Sequence, residues 1–228
     1  MVKESTLQNK GKLTAMYQPQ RPVFRVVTSA GEAEEHLRVI RQAMERSTRH
    51  STLSGLSGVV VGLLALAGCA VTSTLLKWPP VESEAVVFVV IWAGVLLLSL
   101  VVDYFLTKRR AAQVGKTAFS PLGKHLTRAA LPGLCTALAI SLFYIVHPTL
   151  IGPYIYGVWM LCYAASLLSV GMFSVKEVSA LGWGFLVAGT ITLLLPVGWW
   201  IGPRGMMALA FGGLHIVYGI WMGSKYGW

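Results

Sequence analysis

Charge is the scarcest commodity in this chain. Only 12% of its 228 residues are Asp, Glu, Lys or Arg, about half the roughly 25% of a soluble domain. Acidic groups are the rarer sign, 9 against 19 Lys and Arg. Cysteine is limited to Cys69, Cys135 and Cys162, each inside an apolar run. Such placing excludes a disulfide framework and has no zinc-ligand spacing, so no metal site is expected. Residues 1–53 are polar, so no secretory signal peptide is expected. The apolar runs are continuous and do not alternate in polarity, which argues against a membrane barrel. No phosphate-cradling glycine loop, His-Glu-x-x-His pair or carboxylate dyad occurs, and catalysis is not expected.

What the chain does have is apolar length. Hydrophobic residues make up 55% and the mean hydropathy is +0.64. Six runs approach the roughly 20 residues that cross a bilayer: Ser54–Leu76, Ala85–Thr107, Ala129–Leu150, Tyr154–Val175, Ser179–Ile201 and Gly205–Met222. Asp103 is the only charged residue inside them. A charge at a helix centre costs about 2.5 kcal/mol or more, so this emptiness is what a bilayer demands. The expected fold class is all-α: a polytopic membrane protein of six transmembrane helices at 54–228. Ser29 to Glu32 forms a capping-box pattern, and Leu37, Ile40 and Met44 recur at helical spacing. A cytoplasmic amphipathic helix and linker are therefore expected at 28–53, behind a mobile segment at 1–27.

Seventeen of the 19 Lys and Arg fall in the N-terminal segment, in 108–128, or at Lys176 and Lys225. The alternate loops hold only Lys77 and Arg204. By the positive-inside rule both termini are cytoplasmic, as in a multi-pass protein of a bacterial inner membrane. The basic face suits anionic lipid headgroups. No nucleic-acid module is visible, and no nucleic-acid partner is expected.

His215 is the most informative side chain. Ala208, Gly212, His215 and Gly219 recur at i, i+4, i+7 and i+11 and would share one face of the sixth helix. Small residues let a backbone or a flat ligand come close. Two readings stay open. One is a neutral imidazole bonded to a neighbouring helix. The other is axial ligation of a tetrapyrrole, haem or chlorophyll-type, with Gly212 and Gly219 clearing room. His147, beside Pro148, reads as an interfacial side chain. Asp103 reads likewise, in the last cytoplasmic turn of its run, within reach of water or a basic neighbour. Gly58 and Gly62 belong to a packing stripe with Ser54, Ala65 and Cys69. Gly55-Leu-Ser57-Gly58 resembles the serine element of rhomboid proteases, which pair such a serine with a histidine on a later span. There it opens the fourth span and here the first, so packing is the preferred reading.

Two stretches resemble a family of uncharacterised multi-pass membrane proteins of acidobacterial type: His36-Leu-Arg-Val-Ile-Arg-Gln-Ala-Met-Glu-Arg46 and Phe211-Gly-Gly-Leu-His-Ile-Val-Tyr-Gly219. The resemblance implies no activity; it draws attention to His215 and the pre-membrane helix. Taken together, these features point to a non-enzymatic accessory or scaffold subunit of a larger membrane complex, holding a tetrapyrrole or lipid. The alternative is a small permease or sensor for an apolar or neutral solute.

Overall fold

The computed structural model describes residues 31, 34–38, 54–76, 84–113, 121–194 and 200–228. The segment expected to be mobile, and most of the amphipathic element, lie outside the described residues. Gly31 and Glu34–Arg38 are helical, and an exposed Arg38–Glu35 pair spans 3.3 Å one turn apart.

The described residues within 54–228 form an all-α bundle, and no strand occurs among them. Six helices are long and apolar enough to cross a membrane. They are α1 (Gly55–Leu75), α2 (Ala85–Gln113), α3 (Pro121–Val146), α4 (Pro148–Gly171), α5 (Lys176–Leu194) and α6 (Gly202–Tyr226). α1 stops where Leu76 turns extended, φ −122° and ψ 145°. α2 runs past its apolar part into Lys108–Gln113. Arg110 can be buried there because it donates to the carbonyls of Tyr226 and Trp228.

The third and fourth helices do not end where the apolar runs do. The break falls at His147, with φ −129° and ψ 60°. A residue before proline is pushed out of the α region, so Pro148 stops α3 and opens α4. Gly152–Tyr154 then makes a 3-10 turn inside α4, so Pro153 does not start this helix. Pro203 does lie in the first turn of α6, after Gly202 at φ 62°. α3 also carries Pro132 in its interior. Proline has no N–H, so the ladder of α3 loses one bond there.

Apolar side chains gain little by leaving lipid for each other, so close packing and interhelical hydrogen bonds hold such a bundle. The α1–α6 crossing is built on glycine. A Cβ on Gly58 would lie 2.8 Å from the Cα of Gly219, and one on Gly62 would lie 2.7 Å from the carbonyl of Gly212. Gly55 meets the backbone of Gly223 in the same way. α4 and α5 form the most extensive pair, with Gly157 and Gly189 against each other's carbonyls. Aromatic contacts knit the middle of the bundle: Phe88 stacks on Trp159 at 5.4 Å and meets Tyr144 edge-on at 5.7 Å. α3 packs chiefly on α4 and meets α2 at few positions. The outer faces of α2 and α3, with Val90, Leu97, Phe105 and Leu138, are exposed apolar surface.

Candidate functional site: a cavity within the bundle

The site is built from the middle of α6. Ala208–Leu214 is wound as a π-helix between two α-helical pieces. Such segments are rare, usually short, and frequent at functional sites. Where the winding returns to α, the backbone N–H of His215 bonds the carbonyl of Gly212. The imidazole Nδ1 takes the carbonyl of Phe211 at 2.9 Å. A carbonyl can only accept, so Nδ1 carries the proton. Nε2 then accepts from the hydroxyl of Tyr163 on α4, also at 2.9 Å. The ring is 4% exposed, with Phe185 5.2 Å from its centroid.

The members of the expected stripe meet different neighbours. Gly212 lies against Leu66 and Gly219 against Val59 and Gly55, so both glycines face α1. Ala208 is half-buried. His215 instead meets α4 and α5. At 100° per residue His215 falls at one edge of the stripe, about 40–60° from the two glycines, so it meets a different neighbour. The space above the two glycines is filled by α1 and is not open to a macrocycle. Both ring nitrogens of His215 are engaged. An axial metal ligand needs a free nitrogen lone pair, so the residues as arranged do not fit a tetrapyrrole unless Tyr163 withdraws. His147, at the far end of α3, is exposed and packs on Phe143 at 4.8 Å.

Asp103 lies one turn before the end of its apolar run, and α2 continues beyond it to Gln113, about 15 Å further at 1.5 Å per residue. Its carboxylate accepts a hydrogen bond from Ser57 of α1, not from a basic neighbour. Ser57, Asp103, Tyr163 and His215 all line one cavity of about 290 Å³. Ser166 and Tyr218 add hydroxyl-bearing side chains at its wall, and Val61, Leu100 and Leu167 are among its apolar lining. The serine of the protease-like element therefore pairs with a carboxylate, and the histidine pairs with a tyrosine.

A second space, about 180 Å³, adjoins the first and shares Trp92, Leu96, Leu134, Tyr163 and Phe211 with it. On α2 the two together run from Val89 to Asp103, about 20 Å of helix. The combined slot is polar at the Asp103 end and apolar along the rest. Ser141, at the other end, is already satisfied: it donates to the Ala137 carbonyl and accepts from Trp159.

Two residues of this arrangement escape a sequence reading. Tyr163 sits inside an apolar run, where hydropathy counts its ring and ignores its hydroxyl. Glu177 falls just before the fifth run, and yet it is fully buried, bonded by Lys225 and by the Tyr226 hydroxyl at 3.3 Å. No family model, curated protein or solved structure matches this chain, so the site rests on its geometry.

Proposed function

We propose that this chain is a non-enzymatic membrane protein that binds a small, mainly apolar amphiphile inside its helix bundle, as a permease or sensor for such a solute does. The observation that carries this reading is the two-part cavity. The larger of its spaces, about 290 Å³, is near the lower end of the range of small-molecule sites, roughly 300–1,000 Å³, and the other, about 180 Å³, adjoins it. Its lining is mostly apolar with a few polar groups gathered at one end, the usual composition of such sites. The sparse contact between α2 and α3 suits entry of a lipid-type ligand from the bilayer. The pairing of Ser57 with Asp103, not with His215, counts against a rhomboid-type Ser–His arrangement. The excess of Lys and Arg on one side favours a bacterial inner-membrane protein with cytoplasmic termini and anionic lipids at that face.

The accessory-subunit reading is the second. It draws on the broad exposed apolar faces of α2 and α3, which other membrane subunits can cover as well as lipid. One experiment separates the two. The protein is extracted into nanodiscs directly from its own membranes, and its visible spectrum, extractable small molecules and particle mass are measured. A retained apolar molecule, lost on filling the slot with Leu134→Trp, is the expected result. A visible absorption band would identify it as a tetrapyrrole. A larger particle with partner subunits and an empty slot would favour the accessory role instead.

A further inference from the structure

The cavity holds one formal charge, and it is negative. Among its described lining residues Asp103 is the only charged side chain; no Lys or Arg is present. This stands against a chain with a formal net charge of +10. Three basic groups of the same molecular end are engaged elsewhere. Arg110 donates to the carbonyls of Tyr226 and Trp228, and Lys225 pairs with Glu177. Lys108 lies 5.9 Å over the Tyr104 ring. A carboxylate taken out of water needs a counter-charge or several hydrogen bonds. Asp103 receives the Ser57 hydroxyl, with that of Thr107 beside it; they orient it and supply no charge.

Resting on the amphiphile-binding reading above, we infer that the ligand carries a cationic head: the Asp103 carboxylate, held by Ser57, pairs with an ammonium group, and the ligand's chain lies along the slot toward Trp92. The rings of Tyr163 and Tyr218 line the same cavity as Asp103, and aromatic rings attract cations. His215 does not compete for the carboxylate, because its proton is committed to Phe211 and its other nitrogen accepts from Tyr163. An anionic head would meet Asp103 with like charge. A neutral hydroxyl would bond the carboxylate and leave its charge uncompensated.

The test uses the full chain in nanodiscs of neutral phosphatidylcholine, so that anionic lipid does not concentrate the amine. Three probes of one chain length are titrated at pH 7: decylamine, decanol and decyl sulfate. Decylamine is expected to bind at least about tenfold more tightly than decanol, the scale of a hydrogen bond to a charged group, and decyl sulfate weakest. In Asp103→Asn this preference is expected to vanish while decanol binding persists. Equal binding of decylamine and decanol to the unaltered protein would overturn the inference, and that comparison needs no variant. Persistence of the preference in Asp103→Asn would overturn it too. Failure of all three probes to bind would instead remove the cavity-binding reading on which it rests.

Discussion

A single hydroxyl decides how His215 behaves. Its Nε2 is buried and meets Tyr163, which reaches it from a different helix. An interhelical hydrogen bond within a membrane contributes about 0.6–2 kcal/mol. Tyr163→Phe is therefore expected to lower bundle stability by about 1 kcal/mol in a denaturation series in mixed micelles. His215→Leu removes the ring donor to Phe211 as well and is expected to cost more. Equal stability of the Tyr163→Phe variant and the parent would mean that the bond contributes nothing net. The sequence shows that a histidine lies mid-span, and from its small neighbours that it sits within the bundle. It does not show its partner. Tyr163 is one of several aromatic residues in its run, and nothing in composition separates a tyrosine with a bonded hydroxyl from one at a lipid interface.

At the scale of an element, α1 and α6 depend on the absence of side chains. A Cβ on Gly219 would come within 2.6 Å of the Gly55 carbonyl, which is backbone and cannot rotate away. Gly219→Leu is expected to push the two helices apart and destabilise the protein by about 1–3 kcal/mol, the usual cost of overpacking. Gly213→Ala is the matched control, because a Cβ at Gly213 has nothing within 4 Å. Its stability is expected to equal or slightly exceed the parent's, since alanine favours a helix over glycine. The small-residue stripe of α1 is legible in the sequence at Gly58 and Gly62. It packs on Gly212 and Gly219, two members of the small-residue stripe that the sequence also shows on α6. The break between α3 and α4 was hidden by hydropathy, since Pro148 lies inside a continuous apolar stretch. The rule that a residue before proline leaves the α region would have found it at His147.

For the whole molecule the apolar runs carry most of the information. Their number, their lack of charge and their length lead to six spans, and the bundle has six such helices among its described residues. Run edges are less informative than run centres. α2 and α3 extend into basic segments that a count of apolar residues ends early, because a helix leaving the bilayer can continue in water. The charge asymmetry yields a topology prediction. A reporter that is active only in the cytoplasm, fused after Trp228, is expected to be active, and one inserted beside Lys77 silent. Reversed activities would mean that the Lys and Arg excess marks the other membrane face. The cavity, by contrast, is a property of assembly. Residues of all six helices line it, and no local pattern announces it.

Pro132 gives this architecture a mechanical consequence. It lies on α3 between Ala130 and Leu134, both part of the cavity wall. α3 has already given up one rung of its ladder at that level, so flexing it there breaks no N–H···O bond that elsewhere in the helix would resist. On the neighbouring turn Ser166 steadies the wall from α4 by donating to the Ala130 carbonyl at 2.9 Å. The slot thus has one wall with a missing rung, tied to α4 by the Ser166 hydroxyl and, further along, by the Trp159 indole on Ser141, while another wall is the glycine seam of α1 and α6.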